Sequence, residues 1–182
     1  MKWHAITGSW RNTSKKIERD VIKAVENIVL LGEGIVTGGA LGVDYIATKT
    51  VLKDINQRPV VDNLKIFLPT SLENYSRHYF KRAREGIITE TQANKLVNQL
   101  EKVYEVNPNA IIEGPKNVEV DKRSYYARIE KIVMASNDVF AFHVNNSKGV
   151  QYGIDFAEKS GKPVFIKKYN LKNPLKKVKI RC

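Results

Sequence analysis

Gly38-Gly39-Ala40-Leu41-Gly42-Val43-Asp44 is the stretch of this chain best suited to chemistry. It follows a short β-branched run, Gly34-Ile35-Val36-Thr37, and leads into a helical pattern of Asp44, Tyr45, Ile46, Ala47, Val51 and Leu52. A strand that turns through glycine into a helix aims backbone N–H groups and a helix N-terminus at one point, which suits a phosphate. Glycine lets a ligand approach the backbone and tolerates positive φ. The spelling is neither G-x-x-x-x-G-K-[ST] nor G-x-G-x-x-G. A glycine turn that only packs helix on strand is the competing reading. Asp44 can contact a ribose hydroxyl, order the turn, or serve as an ordinary helix cap.

Two further clusters have related chemistry. In Gly8-Ser9-Trp10-Arg11 the backbone and the Arg11 guanidinium can hold an anion, and Trp10 can stack on a base. Against this stand a solvated Arg11 and a Trp10 that closes a rim by packing. Asn145-Asn146-Ser147-Lys148-Gly149, running into Val150, offers a second helix start that can take an anion through its backbone. The bland alternative is a capped connector. Arg123 and Arg128 can reach a ligand or lie on the solvated face of a helix. His143 can act as a general acid or base, or be a structural rim residue. His4 and His78 have no partner visible in sequence. No His/Cys/Asp/Glu spacing resembles a metal site, no cofactor is implied, and no G-x-S-x-G elbow is present.

The elements that position these clusters follow from hydrophobic periodicity. Trp3–Thr7 reads as a first strand. Thr13 or Ser14 caps a helix with apolar residues at Ile17, Val21, Ile22, Val25, Ile28 and Val29, stopped by Gly32 and Gly34. Ile35–Thr37 is a second strand, and its helix runs from the glycine turn to about Ile55. A loop covers 58–63, and Leu64–Leu68 is a third strand. A helix follows over Tyr125–Ala135. Asp138–Val144 is a fourth strand, with a helix from about Val150 to Ser160 behind it, and Pro163–Ile166 is a fifth. Alternating strands and helices argue for an α/β fold with a mostly parallel sheet and helices on both faces, a Rossmann-like three-layer sandwich. Right-handed crossovers bring the loops after the first two strands to one edge. The Gly8 and Gly38 loops then face one crevice outside the carboxyl ends of the strands.

The stretch 71–119 breaks the alternation. It is polar and helical in pattern, with Thr89 and Gln92 forming a capping box, and a loop between Pro108 and Pro115. It is read as a helical insert or lid within a single domain spanning 1–182, because its apolar faces are too narrow for a core of their own. The run Arg77–Arg84 mixes basic and aromatic residues, so it can cover the crevice, touch nucleic acid, or simply dock through Tyr79 and Phe80. Residues 167–182 read as a basic tail.

Bulk properties narrow the class. The chain has 182 residues and 42% hydrophobic content, enough for one folded domain. A formal net charge of +12 favours polyanionic partners such as nucleotides or nucleic acid. No apolar run is long enough for a membrane span. The only cysteine is Cys182, so no intramolecular disulfide forms. With no export signal at Met1-Lys2-Trp3-His4-Ala5, the cytoplasm is the expected compartment.

With these units in place, the chain resembles the Rossmann-like nucleotide-binding superfamily of the DprA/Smf and LOG proteins (SLOG), and its small YspA/YpsA-like subgroup most of all. Ile6-Thr7-Gly8-Ser9-Trp10-Arg11 is similar to the family's strand followed by G-S-R. Ile35 to Asp44 is similar to its strand followed by [ST]-G-G-A-x-G-x-D. Asp138 to Phe142 with Ser147-Lys148-Gly149-Val150 is similar to its apolar strand followed by S-x-G-T, and Gly161-Lys162-Pro163-Val164 completes the order. The resemblance implies binding of a nucleotide or nucleotide-derived ligand by Gly8, Ser9, Arg11, Gly38, Gly39, Gly42, Asp44, Ser147, Gly149 and Val150. It also implies an arginine near the ligand, for which Arg128 is the choice. DprA-like single-stranded DNA binding, LOG-like hydrolysis of a nucleoside monophosphate, and a homodimer are further implications. LOG-type hydrolases carry P-G-G-x-G-T-x-x-E, and here Gly153 stands at the position of its hydrolytic Glu. The expectation is therefore binding ahead of catalysis.

Overall fold

A computed structural model describes residues 1–54, 60–116 and 118–172. Six strands form one parallel sheet: β1 (Trp3–Gly8), β2 (Gly34–Thr37), β3 (Leu64–Phe67), β4 (Ile111–Ile112), β5 (Asp138–Val144) and β6 (Val164–Tyr169), in the order β4-β3-β2-β1-β5-β6. The helices are α1 (Lys15–Leu30), α2 (Val43–Asp54), α3 (Leu72–Arg84), α4 (Glu90–Val106), α5 (Lys122–Met134) and α6 (Lys148–Lys159). This is the Rossmann-like α/β arrangement expected from the alternation of elements. The chain builds β1 to β4 outward in one direction, then returns to place β5 on the other side of β1. Strand order therefore reverses between β1 and β5, where open parallel sheets leave a crevice at the carboxyl edge.

Local signals account for most element ends. The Ser14 side chain accepts from the Ile17 N–H to start α1, and Thr89 and Gln92 make the reciprocal capping box of α4. A second capping box, Asp121 with Ser124, starts α5 at Lys122, ahead of the Tyr125 start read from periodicity. Central strands are buried on both faces, as in β2, where all of Gly34–Thr37 is buried.

One core cluster holds Ile17, Val21 and Val25 of α1, Val43 and Val51 of α2, Tyr75 and Tyr79 of α3, and Leu96, Leu100 and Val103 of α4. On the other side of the sheet Ile132 and Val133 of α5 and Ala157 of α6 pack on Ala5, Val36 and Val139. The 71–119 stretch supplies two helices, and their narrow apolar faces are completed by the common core. It also supplies β4, which pairs with β3 through Ile66↔Ile111 and Phe67↔Ile112. The sequence reading left those residues in a loop, since two apolar residues have no detectable period. The fifth predicted strand ended at Ile166, whereas β6 runs to Tyr169. Lys167 and Lys168 thus belong to an edge strand, paired with Phe142 and His143, and do not open the tail. The loop read over 58–63 ends in a 3-10 turn at Val60–Asn63. Its residues 58–59, and the tail residues 173–182, lie outside the described residues. Among the described residues, no helix is long and apolar enough to cross a membrane.

Candidate functional site

A cleft of about 380 Å³ opens over the carboxyl ends of β1 and β5. Gly8 and Gly38 line it from the loops after β1 and β2, and Ser147, Gly149 and Val150 from the start of α6. Asp44 of α2 and Arg128 of α5 line it as well. Seven of the expected site residues therefore share one cavity.

The other four lie behind it, each for a local reason. Ser9 is buried; its Oγ accepts from the Asn12 N–H at 2.9 Å and its carbonyl accepts from the Val43 N–H at 3.1 Å. It ties the β1 loop to the glycine loop. Gly42 has φ +74°, and a Cβ there would lie 2.1 Å from the Ser9 carbonyl oxygen, so only glycine permits this contact. Gly39 has φ +60° and faces Ile66 and Leu68 in the core. Arg11 lays its guanidinium over the Trp10 ring at 4.6 Å and does not line the cleft, while Trp10 does. Partial burial and the nearby Arg82 pull the Arg11 pKa below its ordinary value.

Arg128 organises the floor. It is buried, and its Nη1 donates to the Gly38 carbonyl at 2.6 Å and to the Tyr75 hydroxyl at 3.3 Å. Its Nε is buried with no hydrogen-bond partner among the described residues. A Cβ on Gly38 would lie 2.8 Å from Arg128 Cζ and 2.9 Å from Asp44 Oδ2. Glycine therefore leaves a slot with a cation on one flank and a carboxyl group on the other. Asp44 accepts from the Ala40 N–H at 3.3 Å. Burial raises its pKa to about 6, against the opposing pull of Arg128 and that N–H. Burial alone depresses Arg128, but the facing Tyr75 and Asp44 more than offset it, so the guanidinium stays charged.

The walls are aromatic and basic. Tyr79, Tyr125 and Tyr126 line the cleft, together with His78, Arg82 and Lys122. Tyr126 stacks on Tyr152 of α6, with centroids 4.2 Å apart and planes 7° from parallel. Lys122 Nζ lies 5.3 Å from the Tyr126 ring centre. His78 Nε2 is 3.2 Å from Arg82 Nε and 3.3 Å from the Tyr125 hydroxyl. Burial and the charge of Arg82 lower the His78 pKa to about 4, so the imidazole is neutral near pH 7. The run Arg77–Arg84, read as able to cover the crevice, supplies His78, Tyr79 and Arg82 of this wall, whereas Lys122, Tyr125 and Tyr126 were not read as part of the site. The signal available was Tyr125, one helical turn before Arg128 on the same face.

Three expectations are corrected or refined. His143 does not face this cleft; it is buried in β5 with Nε2 3.3 Å from the Ser147 carbonyl, bordering a separate shallow groove. The even spacing of a strand does not reveal which face a terminal residue takes when both faces are covered. His4 does have partners, Asp138 at 2.7 Å and Glu33 at 2.8 Å, at the amino end of the sheet. Arg123 is exposed and lines a neighbouring depression but not the cleft, whereas Arg128, about one and a half turns later, borders both.

Gly153 is buried in α6, and a Cβ there would lie 3.2 Å from Ile129 Cγ2. The residue lets α6 close on α5. Asp44 and Asp121 are the carboxylates that line the cleft, and Asp121 is engaged in capping α5.

Neither protein-family models nor curated proteins match the chain. Solved structures do. DNA processing protein A from Helicobacter pylori, described for its single-stranded DNA binding mode, aligns with a TM-score of 0.65 and 24% identity over 95% of this chain and 68% of that one. TM1055, a structural-genomics target with a LOG-like fold, aligns at 0.51 with 14% identity, covering 90% of this chain and 72% of that one. DprA from Streptococcus pneumoniae aligns at 0.50 with 18% identity over 90% of this chain and 58% of that one. At such identities the likeness is one of fold. The chain is an α/β protein with the Rossmann-like sheet of these DprA-like and LOG-like neighbours, and its cleft lies at the switch point of that sheet.

Proposed function

We propose that the cleft binds a nucleotide or nucleotide-derived ligand through Gly8, Gly38, Asp44, Arg128, Ser147, Gly149 and Val150, with Ser9, Gly39 and Gly42 holding the loops. The observation that carries this reading is the floor: a buried Arg128 Nε without a partner among the described residues, beside Asp44 in a slot kept open by Gly38. A sugar hydroxyl can accept from Arg128 and donate to Asp44. The open N-terminus of α6, where Ser147 makes no side-chain cap, then takes a phosphate, with Lys122 lining the same cleft. Tyr125 and Tyr126 give the base an apolar wall. Hydrolysis of the N-glycosidic bond needs a carboxylate at the reacting centre; Gly153 supplies none, and of the carboxylates that line the cleft Asp44 is buried against the Ala40 N–H and Asp121 caps α5. Binding is therefore favoured over cutting.

The test is equilibrium binding of adenosine, guanosine, cytidine and uridine monophosphates to the purified chain, with native mass spectrometry for a co-purifying ligand. One or more is expected to bind with a Kd below about 1 mM, a free energy of about −4 kcal/mol. No binding by any of the four, and no co-purified nucleotide, overturns the reading.

A second reading is a DprA-like site for single-stranded nucleic acid. The rim cations Arg82 and Lys122 next to stacked aromatics favour it. An oligonucleotide that competes with a bound monophosphate, with an affinity falling steeply with salt, distinguishes it.

A further inference from the structure

A single phosphate at the start of α6 leaves two arginines at the mouth of the cleft without a partner. Arg11 comes from the loop after β1, and Arg82 from the last turn of α3. Arg82 lines the cleft, and Arg11 lies over the ring of Trp10, which lines it too. Both arginines are half-buried. Partial burial and, after it, the charge of Arg82 lower the Arg11 pKa, so the two guanidinium groups lie within electrostatic reach of each other. Neither has a carboxylate within 4.0 Å among the described residues. Like charges held together without a counter-ion cost free energy, and partial burial raises that cost.

Both groups are braced. The Val43 N–H donates to the Ser9 carbonyl at 3.1 Å, and a Cβ on Gly42 would lie 2.9 Å from Trp10 Cα, so the loop that carries Arg11 is pressed against the start of α2. Arg11 Cζ is 4.6 Å from the centre of the Trp10 ring. Arg82 donates through Nε to His78 Nε2 at 3.2 Å, and the imidazole is neutral near pH 7 and accepts. These contacts engage the flat face of one guanidinium and the Nε of the other. Neither uses a terminal nitrogen.

We propose that the Arg11–Arg82 pair takes the outer phosphates of a nucleoside di- or triphosphate whose first phosphate sits at the start of α6. The proposal rests on the nucleotide reading of the cleft and names the ligand class within it. β1 and β5 are neighbouring strands, paired through Gly8↔Phe142. The loop that carries Arg11 and the turn before α6 therefore leave the sheet side by side, and a phosphate chain that starts at α6 passes the Arg11 loop. Guanidinium forks match phosphate oxygens two at a time and stay charged when partly buried. The spacing selects the ligand. Cations that feel each other suit phosphates that share a bridging oxygen, whereas successive phosphates of a nucleic-acid strand are separated by a whole nucleoside. The added negative charge relieves the repulsion between the arginines, a gain that a monophosphate seated at α6 does not make.

The test is calorimetric titration of the full chain with the mono-, di- and triphosphates of adenosine, guanosine, cytidine and uridine, without divalent cations that would mask the phosphate charge. For a nucleoside that binds, the triphosphate is expected to bind at least about tenfold tighter than the monophosphate, the worth of one charge-assisted contact. Arg11→Gln and Arg82→Gln should each lower that ratio at least about threefold, as for the loss of a partly exposed ion pair. Arg11→Gln should leave monophosphate binding as it is. Arg19→Gln, an equal charge change at an exposed position of α1, should leave the ratio as it is. If either glutamine variant fails to fold, Arg11→Lys and Arg82→Lys, which keep the charge and lose the fork, must lower the ratio instead. Equal affinity for mono- and triphosphate, a ratio insensitive to both arginines, or a ratio lowered as much by Arg19→Gln overturns the proposal and leaves the nucleotide reading standing. A 5′-phosphorylated dithymidylate that binds as tightly as the triphosphate through the same arginines also overturns it. If no nucleotide of any phosphate number binds, the nucleotide reading itself fails.

Discussion

Arg128 Nη1 donates to the carbonyl oxygen of Gly38 at 2.6 Å, across 90 residues of chain. The bond clamps α5 to the glycine loop and closes the floor of the cleft from the far side of the sheet. It also keeps a guanidinium beside Asp44, whose burial would otherwise favour the neutral acid more strongly.

Arg128→Met should destabilise the fold by about 3–5 kcal/mol, because it leaves the Gly38 carbonyl and Asp44 buried without their cation. Arg128→Lys should recover only part of this loss, since an ammonium cannot reproduce the guanidinium fork. Urea unfolding with a constant m-value is the measurement, and a loss below about 1 kcal/mol for Arg128→Met would refute the clamp.

The pH profile of stability should contain two opposing contributions. Asp44 has a folded pKa raised from 3.8 to about 6, so its contribution is full below pH 4 and is lost as pH rises through 6, by up to about 3 kcal/mol. His78 has its pKa lowered from 6.5 to about 4, so its contribution is present above pH 6.5 and is lost as pH falls towards 4. Asp44→Asn should make stability rise more steeply between pH 4 and 6.5, and His78→Gln should make it fall over the same window. Thermal melts across that range separate the two, and a slope that ignores both substitutions would contradict these assignments.

Gly42→Ala should cost more than Gly38→Ala. The first combines φ +74° with a 2.1 Å clash against backbone, while the second meets side-chain atoms of Arg128 and Asp44 at 2.8 and 2.9 Å. Gly149→Ala meets nothing within 4 Å and should be neutral or stabilise α6 by up to about 1 kcal/mol. The order of melting temperatures decides the matter.

Tyr126→Ala should weaken monophosphate binding about tenfold, about 1.4 kcal/mol, by removing a stacking wall. Tyr126 is half-buried, so stability should change less than for the clamp variants. Unchanged affinity measured by calorimetry would remove the aromatic wall from the site.

Much of the fold was legible in the sequence because each signal is local. Helix caps at Ser14 and Thr89, glycine stops, and β-branched runs after them depend on neighbours a few residues away. Their alternation is enough to imply a parallel sheet and a crevice at its carboxyl edge. Within the glycine loop the sequence marked three glycines without separating their roles. Gly38 opens the cleft, while Gly39 and Gly42 serve the core and the neighbouring loop. That division depends on which atom lies beyond each missing Cβ, and those atoms belong to Arg128, Ile66 and Ser9. Strand β4 was hidden because two residues carry no period, and it exists only because β3 offers an edge. The Arg128 clamp, the tyrosine wall and the Arg11–Arg82 pair join segments far apart in the chain. The sequence by itself determined the elements and the glycine loops through short-range sterics and periodicity. Only the tertiary structure decided which side chains share a cavity, because strand order and helix packing bring distant residues within hydrogen-bonding and van der Waals range.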